Sequence, residues 1–223
     1  MNKKNMVLKS LKSVIKESLN FIVSLPYRFA CPIKTVGVNC LIYKCSSNNK
    51  MGEIILGDHV TLRNCEFYFE GSVPSNNAII VGSNSRVEGV KFIQRYGGVN
   101  VIEIGPHSTF GGEVQIEASE GSKVIVGEDC MFAHRIHITT TDHHSILYND
   151  GTRCNKAQNI LIGNHVWVGM GVTILKGGII PDGSIVGANS TYTAKNSDDK
   201  NSIFVGTPAK IVRCNISWNR ELI

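Results

Sequence analysis

The amino-acid sequence predicts an all-β fold in which short strands wind into a parallel β-helix. The main observation is a six-residue repeat, visible in ILIGNHVWVGMGVTI at 160–174, which matches neither the period of a helix nor that of a single strand. Glycine, asparagine and aspartate recur between the apolar positions, as tight turns require. A β-sandwich would instead show two-residue alternation with turns about every 8–12 residues. The pattern therefore favours a repeat architecture.

The repeat can be followed by an apolar anchor at every sixth position. The anchors over the last part of the repeat are Ile162, Val168, Ile174, Ile180, Val186 and Tyr192. The same spacing recurs upstream at Ile104, Phe110 and Ile116, at Val126, Phe132 and Ile138, at Val81, Val87 and Ile93, and more loosely around Leu56 and Leu62. Three such sides close one coil, and coils stack at about 4.8 Å to complete the hydrogen bonds of parallel sheets. We predict a hexapeptide β-helix over 54–194 with these anchors in its core.

The residues before the repeat predict a different element. Leu8, Leu11, Ile15, Leu19 and Ile22 form one apolar stripe at helical spacing, which predicts an amphipathic helix over 1–25, followed by a lead-in segment over 26–53. This helix either packs on protein or lies on an anionic membrane surface through residues 6–25. Charged residues interrupt the run, so it matches neither a secretory signal nor a membrane span.

Composition narrows the class of protein further. The net charge of +5 is mild, and no basic stripe with interleaved aromatic residues is present, which argues against a nucleic-acid partner. The seven cysteines are odd in number and form no CxxC, as expected of reduced thiols. Cys130 occupies an inward position and is expected to fill the core. We predict a cytoplasmic protein, peripheral on the inner face of the membrane if the N-terminal helix binds lipid.

The repeat lapses at one place, the segment TTTDHHSILYNDGTRCNKAQNIL at 139–161. A long excursion from a regular scaffold is usually functional. It contains His143 and His144, which fit three interpretations: solvated loop residues, metal ligands, or a general base that takes a proton from an alcohol. A metal site would need a third ligand, for which the candidates are His107, His134, His137 and His165.

The repeat, together with GNHVWVGMGVTI at 163–174, GANS at 187–190 and GTPAK at 206–210, resembles the hexapeptide-repeat acyltransferases. The resemblance covers roughly residues 54–213 and is greatest to bacterial sugar and polysaccharide O-acetyltransferases of the galactoside, maltose, capsular or polysialic acid type. It implies a left-handed β-helix, a homotrimer with active sites between subunits, and direct transfer of acetyl from acetyl-CoA to a carbohydrate hydroxyl. It implies no metal cofactor.

The family's motif Ser/Thr-Asp-x-His-Ser/Pro-Ile matches residues 141–146. The resemblance implies that His144 is the catalytic base, with His143 as the reserve candidate. Asp142 either orients the imidazole or forms a turn by capping backbone amides. The family places the oxyanion donor at the amide of Met170. Trp167 is expected to form a wall of the sugar site, and the alternative is a plain outward-facing aromatic residue.

The resemblance also implies a groove for coenzyme A along the last coils. Its expected lining residues are Gly169, Met170, Ala188, Ser190 and Thr193. Lys210 and Arg213 match basic residues near the nucleotide phosphates, although they are equally consistent with solvated charge on a terminal segment. Lys195 departs from the family spacing by one residue, so no role is assigned to it.

The predicted function is thus O-acetyl transfer to a capsular, lipopolysaccharide or sialic acid-type glycan. The first residues are too few for the helical domain of serine acetyltransferases, and no Gly-rich nucleotide-binding unit precedes the repeat. Two alternatives remain, a non-catalytic trimeric β-helix that serves as a scaffold or binding module and a metalloenzyme like the γ-carbonic anhydrases. The paired-histidine spacing typical of the latter class is absent from the loop.

Overall fold

The computed structural model describes residues 33–35, 37, 39–47, 52–70, 76–193 and 198–223. The predicted N-terminal helix over 1–25 and Lys195 lie outside the described residues. Within the described ranges, no helix is long and apolar enough to cross a membrane.

Short β-strands make up the described part of the chain, and they are numbered here in chain order. They are β1 (Ile33–Thr35), β2 (Cys40–Ser47), β3 (Gly52–Leu56), β4 (Thr61–Phe69), β5 (Asn77–Val81), β6 (Arg86–Glu88), β7 (Val90–Arg95), β8 (Val101–Ile104), β9 (Thr109–Phe110), β10 (Val114–Ser119), β11 (Lys123–Val126), β12 (Met131–Phe132), β13 (His137–Thr139), β14 (Ile160–Ile162), β15 (Trp167–Val168), β16 (Thr173–Leu175), β17 (Ile179–Ile180), β18 (Ile185–Val186), β19 (Thr191–Tyr192), β20 (Ile203–Gly206) and β21 (Ala209–Arg213).

The strands form three parallel ladders, which are the faces of a prism. Face one has the order β1-β3-β5-β8-β11-β14-β17. Face two runs β6-β9-β12-β15-β18-β20, and face three runs β7-β10-β13-β16-β19. The long strand β4 joins faces two and three, since its first residues pair with β6 and its last residues with β7. Each turn of the chain therefore visits the three faces in order, which confirms the predicted parallel β-helix.

One column of inward side chains from each face fills the prism, because ladder partners lie directly above one another. The columns are Leu56, Val81, Ile104, Val126, Ile162 and Ile180 on face one, Leu62, Val87, Phe110, Phe132, Val168, Val186 and Phe204 on face two, and Phe67, Phe92, Ile116, Ile138, Ile174 and Tyr192 on face three. None of these side chains is more than 3% exposed. The predicted anchors are thus the core, with one exception.

The exception is Ile93, which the six-residue spacing predicts as an anchor. Phe92 occupies that position instead and stacks on Phe67 with ring centroids 5.0 Å apart. The turn between Val87 and Phe92 is one residue shorter than the equivalent turn of the next coil, between Phe110 and Ile116. Ile93 is buried on the outer side of the ladder, beside Glu117 of β10.

Glycine at the corners is required by the close stacking of successive coils. A Cβ atom on Gly163 would lie 2.4 Å from Asp182 Oδ1 and 2.7 Å from Asp182 N. A Cβ atom on Gly169 would lie 2.7 Å from Ala188 N. Any larger residue would push neighbouring coils apart, which explains the six-residue spacing of these two glycines.

The ladder continues beyond residue 194, the predicted end of the repeat. Strand β20 adds to face two by pairing with β18, and β21 folds back on β20 in an antiparallel hairpin. The loop between β13 and β14 coincides with the predicted excursion at 139–161.

Candidate active site

The excursion from the β-helix is a structured loop. It leaves face three after Thr139 and returns on face one at Ile160. Within it, Leu147 and Arg153 form an antiparallel bridge. The Asn155 side chain lies at its centre, where its Oδ1 accepts a hydrogen bond from the Ile146 amide (2.7 Å) and its Nδ2 donates to the His144 carbonyl (2.8 Å). The loop can therefore hold a side chain in a defined position.

Two ion pairs fasten this loop to the coils. The Arg153 guanidinium donates to both carboxylate oxygens of Glu120, at 2.6 and 3.0 Å. This hydrogen bond is the main reason that the pKa of Glu120 lies below its ordinary value. Lys176 pairs with the Asp142 carboxylate, which also accepts a bond from Asn155. Burial alone would raise the pKa of Asp142, but the contacts with Lys176 and Asn155 outweigh it and lower that pKa.

These pKa shifts predict that the loop loosens in acid. A carboxyl group whose pKa is lowered by folding stabilises the folded form above its unfolded-state pKa, and this contribution is lost as pH falls through the folded value. We expect hydrogen exchange at 142–158, corrected for intrinsic rates, to show strong protection at about pH 7 and much weaker protection near pH 3, with coil amides little changed. Arg153→Met should weaken loop protection already at neutral pH. Equal protection of the loop at both pH values would contradict the prediction.

His143 lies where the loop crosses the outer side of face three. Its Nε2 is 3.5 Å from Oε2 of Glu117, a carboxylate on β10 whose side chain is only 1% exposed. The other oxygen of this carboxylate accepts a hydrogen bond of 2.8 Å from the Ser119 hydroxyl. The His143 side chain keeps 32% of its surface exposed. It is thus an accessible imidazole that rests on a buried negative charge.

The other residues predicted for the base motif have different surroundings. The His144 side chain is exposed, and its backbone carbonyl serves the loop through Asn155. Asp142 contacts Lys176 and Asn155 rather than an imidazole, so its role in the structure is to close the loop. His137 on β13 is half-buried beside Gln115, and burial lowers its pKa.

A second group of predicted residues lies at the edge between faces two and three. Trp167 begins β15, is 37% exposed, and turns outward next to Trp218, with ring centroids 6.0 Å apart. Met170 follows in the corner, 40% exposed, with its sulfur 3.2 Å from an Arg135 nitrogen. Gly169 and Gly171 both donate their amides to carbonyls of other coils. Among the described residues, the Met170 amide between them makes no such hydrogen bond.

Trp218 belongs to the C-terminal segment, residues 214–223, which runs back along face two. Its ring stacks on His165 at 4.0 Å, and its indole N–H donates to the His165 carbonyl (2.9 Å). Arg220 donates to Asp129 (2.9 Å) and to the Thr109 hydroxyl (2.8 Å). Burial opposes ionisation of Asp129, but hydrogen bonds from His165 and Arg220 outweigh it and lower its pKa.

The residues predicted to contact coenzyme A divide into three groups. Gly169, Met170 and Ala188 stack on adjacent coils at one edge of the prism. Ser190 is buried and its hydroxyl accepts a hydrogen bond from the Gly206 amide (2.9 Å), so this hydroxyl holds the C-terminal hairpin. Thr193, after β19, and the two basic residues of β21, Lys210 and Arg213, are exposed.

The structure does not bring the two groups of predicted residues together within one chain. His143 follows β13, the strand of face three after which the chain passes to face one. Trp167 and Met170 precede β16, the next strand of face three. They therefore lie at opposite edges of the same face. Each edge holds half of the chemistry expected of an acyl-transfer site.

Two contributors to the site were absent from the sequence predictions. Glu117 is a carboxylate in the otherwise apolar strand sequence VQIEAS, and this contrast was the signal that could have found it. Trp218 lies in a tail without a repeat, so only its being one of two tryptophans set it apart. Over the described ranges, no cluster of three or more histidine, cysteine, aspartate or glutamate side chains could hold a metal ion.

Known proteins resemble the chain in sequence and fold. It is 38% identical over 162 residues to a polysialic acid O-acetyltransferase of Neisseria meningitidis, which covers 66% of this chain and 74% of that protein. It is 30% identical over 177 residues to WbbJ, described as a putative lipopolysaccharide biosynthesis O-acetyl transferase of Escherichia coli K12, covering 75% and 86% of the two chains. The crystal structure of the polySia specific acetyltransferase NeuO superposes with a TM-score of 0.75 at 28% identity, covering 86% of this chain and 79% of that chain. No family model matches.

Proposed function

Because the chain belongs to the hexapeptide-repeat O-acetyltransferases, we propose that it transfers an acetyl group from acetyl-CoA to a hydroxyl of a glycan. Similarity to the polysialic acid and lipopolysaccharide enzymes favours a capsular, lipopolysaccharide or sialic acid-type acceptor. The observation that carries the proposal is the accessible imidazole of His143 beside the buried carboxylate of Glu117, within the family motif over 141–146. A scaffold without activity would have no need of a buried charge there.

We assign the base to His143 rather than to His144, which the motif alone favours. The contact of Nε2 with Glu117 favours the tautomer with its proton on Nε2, leaving Nδ1 to accept a proton. The acceptor hydroxyl gives its proton to Nδ1 as its oxygen bonds to the thioester carbon. The tetrahedral intermediate then breaks its carbon–sulfur bond, and the imidazolium returns the proton to the departing thiolate.

The developing oxyanion requires a donor, and the Met170 amide is suited to this role. It sits in a corner that stacked coils hold rigid, so little reorganisation is needed as charge develops. Trp167 offers an exposed indole face to the sugar. Since His143 and Met170 lie at opposite edges of face three, we infer a homotrimer in which one subunit supplies the base and its neighbour supplies Trp167 and Met170.

The function can be tested by incubating the purified protein with acetyl-CoA and oligomers of sialic acid. The expected result is release of free thiol together with a mass gain of one acetyl group per modified acceptor. His143→Ala serves as the matched control and should release thiol at the background rate. Absence of both signals with sialic acid, lipopolysaccharide and galactoside acceptors alike would favour the non-catalytic scaffold.

Lys210 and Arg213 are proposed to bind the phosphates of coenzyme A. Both are exposed on β21, which pairs with β20, and the Gly206 amide at the end of β20 bonds to Ser190 in the corner that carries Ala188. Each charge-assisted contact is worth about 1.5–3 kcal/mol. Changing both residues to alanine should therefore raise the KM for acetyl-CoA at least about tenfold and leave kcat near normal, because the phosphates bind ground and transition states alike.

A dephospho-CoA thioester provides the control for this double variant. The wild-type enzyme should prefer acetyl-CoA, whereas the double variant should use both thioesters with similar KM values. An unchanged KM for acetyl-CoA would show that the two residues are ordinary solvated charges.

A further inference from the structure

We propose that Glu117 is a positioning residue for catalysis, which holds the His143 imidazole and stabilises the imidazolium that forms during transfer. This inference rests on the proposed function, since it names the partner of the base in that same site. The two residues are far apart in the chain, with His143 on the loop after β13 and Glu117 on β10.

The location of Glu117 is unusual for a charged side chain. Its ladder partners on the outer side of face three are Ile93 and Thr139, which carry no charge. The residue is buried, and His143 of the loop after Thr139 lies against its carboxylate. Burying a carboxylate costs free energy unless hydrogen bonds or an opposite charge compensate. A position of this kind is retained at the expense of stability, which is typical of functional sites.

Compensation for this charge is incomplete in the resting protein. Oε1 accepts the Ser119 hydroxyl, but within the described chain Oε2 has no hydrogen-bond donor. The His143 Nε2 lies 3.5 Å from Oε2 and becomes a cationic partner for it when the ring is protonated. The attraction between the His143 ring and the Glu117 carboxylate therefore becomes stronger when the ring gains a second proton.

The charged and titratable groups that face His143 support its assignment as the partner of Glu117. On the packed strands these are Glu117 of β10 and His137 of β13. Burial lowers the pKa of His137 below its ordinary value, so His137 stays neutral near pH 7. Within the loop, the neighbouring Asp142 is engaged by Lys176. The negative charge of Glu117 raises the pKa of His137 without outweighing its burial, and His143 is the ring whose Nε2 lies 3.5 Å from Glu117 Oε2.

This arrangement stabilises the transition state more than the ground state. Before the reaction the imidazole is neutral and interacts weakly with the carboxylate. As Nδ1 takes the acceptor's proton, a full positive charge develops beside a buried negative one, where electrostatic interactions are strong. The carboxylate also fixes the ring plane and the tautomer, as a carboxylate does in other acid–base sites.

The decisive variant is Glu117→Gln, which keeps the shape and the bond from Ser119 but removes the charge. We expect kcat to fall about 10- to 100-fold with little change in KM, since the lost interaction is formed in the transition state. The acid limb of the kcat/KM profile should move to lower pH, because the imidazolium loses its neighbouring negative charge. The melting temperature should stay the same or rise, because an incompletely compensated buried charge is gone.

Ser119→Ala is the matched control, because it removes a hydrogen bond to Glu117 and leaves the charge in place. It should move the acid limb of the pH profile far less than Glu117→Gln does. A loss of kcat in Glu117→Gln without movement of the acid limb would indicate a structural role and overturn the proposal. So would unchanged kinetics.

A measurement that does not depend on turnover separates this inference from the proposed function. The His143 ring resonances can be assigned by comparison with His143→Gln and followed by NMR as pH is varied. Their titration midpoint should be lower in Glu117→Gln than in the wild type, whether or not the protein acetylates any acceptor tried. An identical midpoint in the two proteins would refute the pairing, whereas absence of acetylation would refute only the function.

Discussion

His143→Ala is expected to lower kcat for acetyl transfer by about 10²–10⁴-fold, the usual consequence of losing a general base. The protein should remain folded, because His143 lies outside the buried core and contributes no ladder hydrogen bond. His144→Ala should change kcat by no more than about threefold, since the proposal gives its side chain no part in the reaction and alanine preserves the carbonyl that Asn155 binds. Steady-state kinetics and melting curves of both variants make the comparison.

The opposite result would be equally clear. If His144→Ala were inactive and His143→Ala active, the base would be His144, as the motif over 141–146 predicts. The role assigned to Glu117 would then be lost as well, because His143 is the residue that it contacts.

The second large effect is expected from mixing two defective subunits. Trp167→Ala should be impaired about tenfold or more, since exposed tryptophans at binding sites contribute heavily to affinity. When His143→Ala and Trp167→Ala chains are co-expressed with different tags, random assembly of a cyclic oligomer gives sites that combine residues of neighbours. In trimers that carry both tags, one of the three sites has both native residues, so activity should recover to about a third of the wild-type value.

Recovery follows only if His143 and Trp167 of one site come from different chains. The structure motivates the test, because the two residues occupy opposite edges of face three. Oligomers that carry both tags but show no more activity than the average of the two parents would mean that each site lies within one chain. Double-tagged wild-type chains provide the reference activity.

The fold could be predicted because its rule is local and repeated. Each anchor such as Val168 or Ile174 satisfies the same requirement as the residue one coil away, so six-residue counting finds the core without knowledge of contacts. The rule failed at Ile93, because the turn between Val87 and Phe92 has one residue fewer than the turn between Phe110 and Ile116. A period measured over whole coils does not detect the loss of one residue from a single turn.

The site was less predictable because its partners are distant in sequence. The motif located the loop and both histidines, yet it could not show that Glu117 would lie beneath the loop. Glu117 is on β10, which neighbours β13 in the face-three ladder. It also placed a carboxylate at Asp142, whose partner in the structure is Lys176. Which carboxylate contacts which basic side chain depends on how the loop folds over the coils, and this cannot be predicted from residue spacing.

The C-terminal segment has a consequence for how the molecule unfolds. In stacked-coil proteins each coil interacts only with its nearest neighbours, so the end coils can fray and opening can spread inward one coil at a time. Here Ile216 bonds to Asn201, Trp218 packs on His165, and Arg220 reaches Thr109, 111 residues away in the chain. One short segment thus couples coils that do not touch each other, and none of them can open without releasing it. Deleting 214–223 should broaden the calorimetric unfolding transition as well as lower its midpoint, since only coupling between neighbouring coils would remain in the C-terminal half. A transition of unchanged width would show that the ladders alone already couple the coils.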